Sequence, residues 1–163
     1  MKALKRIALT ELQVMFYSPI AWFILIIFLI QVSMAFNGSF AGVVAASEMG
    51  RGLYNLTSGV FYNPMFGMFA RLLSYLYLYI PLLTMGIMSR ELSSGSIKLL
   101  YSSPVSNFQI IFGKYLAVVV YALLMTFVVA MFVIYGACTI ENFDIAPCLV
   151  GLLGMFLLIC AYG

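Results

Sequence analysis

The sequence predicts an all-α polytopic membrane protein: an amino-terminal amphipathic helix in the membrane interface, then four transmembrane helices. Three observations predict it. The 163 residues are 65% hydrophobic and only 8% charged, where a soluble domain carries about 25% charged residues. Too little polar surface remains to cover a water-soluble fold. Four segments approach the ~20 apolar residues a helix needs to cross the hydrocarbon. Lys and Arg are segregated to alternate connections between those segments.

Residues 1–17 form the interfacial element. On a helical wheel Leu4, Ile7, Ala8, Leu12, Val14 and Met15 share one face, and Lys2, Lys5, Arg6, Thr10 and Gln13 the other. Basic residues on such a helix sit against lipid headgroups. Glu11 falls on the apolar face, where a carboxylate needs a partner or access to water. Two readings stand: a snorkelling side chain at a frayed edge, or a buried contact to the loop between spans two and three.

The first span is expected at 19–36, with Ser18 as N-cap and Pro19 at the first helical position. Asn37-Gly38 reads as its end. Residues 37–63, rich in Gly, Ser and aromatics, read as an external loop holding a short helix from about Val43 to Tyr54. The second span is expected at 64–89, with Asn63-Pro64 repeating the cap-then-proline start. Pro81 inside it frees a backbone carbonyl and kinks the helix, as a structural bend or as a hinge. A cytoplasmic loop follows at 90–107. The third span is expected at 108–137, after a capping-box pattern in Ser106 to Gln109. Residues 138–146 read as a second external loop, and 147–163 as the fourth span. That span lacks a basic flank, which leads us to expect a native chain continuing into further spans.

Charge placement gives the orientation. Lys2, Lys5 and Arg6 precede the first span, and Arg90, Lys98 and Lys114 lie between the second and third. The 37–63 connection holds Arg51 balanced by Glu48, and the 138–146 connection only Glu141 and Asp144. Positive residues stay inside, so the amino terminus and the 90–107 loop are expected in the cytoplasm. The expected location is a bacterial cytoplasmic (inner) membrane. Arg71 is the exception, near the outer end of the second span, where a long side chain can snorkel.

Candidate chemistry is sparse. Histidine is absent, which removes the commonest metal ligand and general base. Gly113-Lys114 lacks the earlier glycine and the following Ser/Thr of a phosphate loop; those positions hold Phe108 and Tyr115. We therefore expect no enzyme site, no cofactor and no metal in this chain, and nothing basic enough for nucleic acid. Cys138, Cys148 and Cys160 form no CxxC motif and read as small apolar residues, although Cys138 and Cys148 could pair across an oxidising face. The first, third and fourth spans lack the ionisable side chains that ion-coupled carriers use. One polar stripe stands out: Arg71, Tyr75 and Tyr79 at i, i+4 and i+8. It reads as a helix–helix packing seam, with a lining for substrate headgroups as the alternative.

Several motifs now align. The first is Lys5-Arg6 through Glu11-Leu12 to Phe16-Tyr17-Ser18-Pro19. Then come Pro81, Thr84-Met85, Glu91, Gly95-Ser96, Leu99-Leu100, Ser103-Pro104-Val105-Ser106 and Gly113-Lys114. In this order and spacing the chain resembles ABC-2 type transporter permeases, including the gliding-motility-associated and nitrous-oxide-maturation permeases. The resemblance implies a membrane subunit of an ATP-driven exporter, paired with a second permease half as homo- or heterodimer. ATP would be bound by a separate ABC ATP-binding subunit. A coupling helix in the loop after the second span would transmit ATPase closure, placing the ATPase contact at Arg90, Glu91, Gly95, Ser96, Ile97, Lys98, Leu99, Leu100 and Pro104. The physics of those residues agrees. Gly95 permits a tight bend; Ile97, Leu99 and Leu100 can fill a groove; Arg90, Glu91 and Lys98 can set register at its rim. The chain departs from the pattern twice. Lys98 stands where many relatives have Glu, and relatives have six spans, so this sequence resembles their amino-terminal part. The competing readings are a polytopic membrane scaffold that transports nothing, and an ion-coupled carrier.

Overall fold

The computed structural model describes residues 2–49, 56–65, 67–94, 107–140 and 143–162, with side chains described except at 2–5, 83, 86–94 and 107. Among the described residues five α-helices run in order: α1 (Lys2–Tyr17), α2 (Pro19–Glu48), α3 (Met68–Ser94), α4 (Asn107–Thr139) and α5 (Ile145–Tyr162). A π-helical turn, Ser58–Tyr62, lies between α2 and α3. α2, α4 and α5 are long and apolar enough to cross a membrane, and α3 adds a shorter apolar stretch at Met68–Leu82.

Ser18 separates α1 from α2. Its backbone is extended and its hydroxyl accepts from the Ile20 N–H at 3.3 Å, with Pro19 opening the helix. Such a cap is worth ~1 kcal/mol. α2 does not stop at Asn37-Gly38 as the sequence suggests; it runs on to Glu48. The cause is tertiary. Gly38 and the buried Ser39, whose hydroxyl bonds back to the Ala35 carbonyl, lie on the face that meets the rest of the bundle. The first part of the expected external loop is therefore helix; of the short helix expected from Val43 to Tyr54, residues 43–48 are the end of α2 and 50–54 lie outside the described residues.

The Asn63-Pro64 step caps a turn and not the helix itself. The Asn63 side chain accepts from the Met65 N–H, and its carbonyl accepts from the Gly67 N–H at 2.7 Å. A Cβ at Gly67 would stand 2.5 Å from that carbonyl oxygen, so only glycine closes the turn. α3 starts at Met68 and ends at Ser94, both later than expected. α4 is longer at both ends than the expected 108–137, and α5 starts two residues before Pro147.

α2, α4 and α5 each bury one stripe and show an apolar opposite face, as lipid solvent requires, whereas α1 turns Arg6, Thr10 and Gln13 outward. On α2 the stripe is Ile24, Phe28, Val32, Ala35, Ser39 and Val43, while Phe23, Ile26, Ile30 and Met34 face outward. α4 is the centre of the fold, packing against α1, α2 and α5. Its buried Tyr121 donates to the Ala21 carbonyl of α2 at 2.8 Å, so its phenol is satisfied where water is scarce.

The far end of the bundle is closed by aromatics. The π-helical turn inserts Phe61, fully buried, among Phe36, Phe69 and Phe143, with ring centroids 5.7–6.1 Å apart. A Cβ on Gly136 would stand 2.8 Å from the Phe61 ring, so α4 makes room for it. The Tyr62 hydroxyl donates to the Pro147 carbonyl of α5. Burial, then the neighbouring Cys148 thiol, pushes its phenol up to about 12.

Candidate functional site

The sequence singled out three places: the loop after α3, Glu11 on α1, and the Arg71 stripe. Of the loop residues, Gly95, Ser96, Ile97, Lys98, Leu99, Leu100 and Pro104 lie outside the described residues, as does Ser106 of the capping box. Arg90 and Glu91 fall in the last turns of α3, with only their backbone described. The structure describes the two ends of the loop, at Ser94 and Asn107.

At the second end α1 packs on α4, and one dipeptide organises the contact. A Cβ on Gly113 would stand 2.7 Å from Ile7 Cγ2, so glycine lets the two helices approach. The next residue, Lys114, meets Glu11 with Nζ 3.0 Å from Oε1. Both side chains are largely covered, 17% and 26% exposed, which weakens screening by water. It is the one ion pair among the described residues. The Glu11 partner thus lies two turns into α4 and not in the loop. Ile7, Ala8, Leu12 and the buried Met15 share the bundle-facing side, while Val14 turns outward, against the helical-wheel expectation. Phe16 extends the contact. Its ring sits 5.8 Å from Trp22 and 6.5 Å from Tyr121, and its carbonyl accepts the Trp22 indole N–H at 2.8 Å. α1 is therefore fixed to α4 and to the start of α2 at once.

The Arg71 stripe divides. The Tyr79 ring is buried edge-on against Phe28, 5.5 Å between centroids, and its hydroxyl donates to Gln31 of α2. The Arg71 guanidinium lies against α2 at Gly38, where a Cβ would stand 2.5 Å from Nη1. Tyr75, between them, is exposed. Arg71 and Tyr79 are thus brought to a seam with α2, and Tyr75 is not. Gln31 was missed from sequence. It is the one amide in the apolar run Ile20–Phe36, and that isolation was the available signal.

Pro81 lies inside α3, and its missing N–H leaves the Tyr77 carbonyl without its helical donor. The Thr84 hydroxyl reaches back to the Ile80 and Pro81 carbonyls, both at 3.1 Å. A groove of about 340 Å³ opens there between α3 and α5, lined by Leu73, Tyr77, Ile80, Pro81, Thr84, Leu158 and Tyr162. Among the described residues no group of His, Cys, Asp and Glu is placed to hold a metal ion. Cys138, Cys148 and Cys160 are free thiols.

The arrangement offers packing, one charge pair and hydrogen-bonded seams. A family model for the ABC-2 family transporter protein matches residues 6–163, nearly the whole chain. No curated protein and no solved structure gives a match.

Proposed function

The chain belongs to the ABC-2 family of transporter proteins, and from that premise we propose that it is the permease subunit of an exporter driven by a separate cytoplasmic ATPase. The family is a membrane component and not the catalytic one, so ATP would be bound and hydrolysed in the partner. The ATPase would engage the loop between α3 and α4 through Arg90, Glu91, Gly95, Ser96, Ile97, Lys98, Leu99, Leu100 and Pro104. A second permease half, identical or related, would complete the pathway. The amino terminus and this loop would face the cytoplasm, which the Lys/Arg asymmetry supports.

One observation supports the coupling role above the others. The loop leads directly into α4, and two turns on, Gly113 and Lys114 hold α1. A push delivered to the loop is received by α4 and α1 together, because Phe16 at the end of α1 packs against both Trp22 at the start of α2 and Tyr121 in the middle of α4. Packed units of this kind move as bodies and not by continuous deformation. α1 would then act as an interfacial float carrying the motion along the membrane surface.

The test is co-purification. An affinity-tagged form of this chain, co-expressed with the ABC ATP-binding subunits of its source organism, should retain one of them through detergent extraction. An intact, folded chain that retains none of them would contradict the reading.

A further inference from the structure

Arg71 brings a positive charge to the seam with α2, and no carboxylate among the described residues pairs with it. Among the described residues its guanidinium has no ion-pair or hydrogen-bond partner. The chain has five carboxylates in all. Glu11 is committed to Lys114. Glu48 lies ~15 Å beyond Gly38 along α2, and Glu91 ~30 Å beyond Arg71 along α3, at ~1.5 Å rise per residue. Asp144 makes no ion pair, its backbone N–H donating to the Thr57 hydroxyl, and Glu141 lies outside the described residues.

The guanidinium nevertheless has a formed place. It occupies a notch in α2 that exists because residue 38 has no side chain, with Nη1 2.5 Å and Cζ 3.6 Å from where a Cβ would stand. Its depth is set by α2. Gly38 is ~29 Å along the helix from Pro19, close to the ~30 Å thickness of the hydrocarbon. With Pro19 at one boundary of the hydrocarbon, the charge sits at the other, on the side away from α1. The abundant anion at that level is the phosphate of a lipid, and the planar guanidinium fork matches two phosphate oxygens at once. One turn inward from Gly38 and Arg71, Met34 and the ring of Tyr75 are exposed. They form a track on which acyl chains can lie beneath a held headgroup.

We propose that Arg71, seated in the Gly38 notch, binds the phosphate headgroup of a membrane phospholipid, with Met34 and Tyr75 receiving its acyl chains. Only the naming of this face as the outer leaflet rests on the orientation proposed above. Binding needs the folded chain alone, so its outcome is separate from that of ATPase capture.

The experiment follows thermal unfolding of the full chain in a neutral maltoside detergent. Three additives are titrated: dihexanoyl phosphatidic acid, dihexanoylglycerol and inorganic phosphate. Phosphatidic acid is expected to raise the unfolding midpoint of the wild type saturably; the neutral diacylglycerol and inorganic phosphate are not. Arg71→Gln is expected to weaken the phosphatidic acid effect about tenfold or more, and Arg71→Lys less, because a lysine keeps the charge without the fork. Gly38→Ala keeps every charge but displaces the guanidinium, and is expected to weaken binding by a similar factor while folding normally. If Arg71→Gln fails to fold, Gly38→Ala carries the test. Undiminished binding by Arg71→Gln or Gly38→Ala overturns the proposal. So does equal stabilisation by dihexanoylglycerol, which points to acyl chains alone, or by inorganic phosphate, which points to a free-anion site.

Discussion

Lys114 and Glu11 form an ion pair at 3.0 Å between α4 and the amino-terminal helix, two turns after the loop that leads into α4. Both groups are mostly covered, so removing either leaves the other charged in a poor place. We expect Glu11→Gln and Lys114→Met each to lower stability, and a double-mutant cycle in detergent to give a coupling energy of about 1 kcal/mol. Exchanging the charges, Glu11→Lys with Lys114→Glu, should restore part of the loss. A coupling energy indistinguishable from zero would mean the pair is incidental to α1 docking.

Gly113 makes a sharper case, because it tests shape without charge. Gly113→Ala puts a methyl 2.7 Å from Ile7 Cγ2. Overpacking costs about 1–3 kcal/mol, offset by about 1 kcal/mol from the better helix propensity of alanine. The informative variant is Gly113→Ala with Ile7→Ala, which removes the clash. Its unfolding midpoint should lie above the value expected from adding the two single effects. Simple additivity would show that α1 does not pack there.

Phe61 fills the aromatic cap with no exposed surface. Phe61→Ala should cost about 3 kcal/mol, read as a lowered unfolding midpoint in detergent. A change within experimental error would place the π-helical turn off the bundle.

Tyr62 gives a pH signature at the same end. Its phenol is pushed from 10.0 up to about 12, chiefly by burial. A raised folded-state value means folding favours the protonated form. Its contribution is therefore full below pH 10 and is lost as pH rises from about 10 towards about 12. The stability difference between wild type and Tyr62→Phe should be constant from pH 7 to 9 and shrink above pH 10. A difference that stays constant through pH 11 would contradict the burial of this hydroxyl.

The helical, membrane-spanning character could be read from composition and apolar run length, because those depend only on the solvent. The Ser18-Pro19 break was equally legible, since a cap and a proline act locally. Asn37-Gly38 misled for a physical reason. Locally the pair reads as a stop, yet α2 continues because Gly38 and Ser39 lie on its packed face. Glu11 could be noticed as a carboxylate on an apolar face, but Lys114 as its partner depends on how α1 lies over α4. Gln31 was visible as an isolated amide, and only the antiparallel seam of α2 and α3 ties it to Tyr79. The loop residues Gly95 to Pro104 stand on sequence reasoning alone.

The central claim is that ATP energy reaches this permease through the loop between α3 and α4. The most direct measurement is the ATP hydrolysis rate of the co-purified ATPase complex, reconstituted with wild-type chain or with Leu99→Asp and Leu100→Asp together. Each leucine would bury an apolar anchor of roughly 1.5–3 kcal/mol in the partner. The account predicts that the double variant inserts and folds as the wild type does, yet fails to retain the ATPase or to stimulate its hydrolysis. Wild-type capture and stimulation by that variant would contradict it.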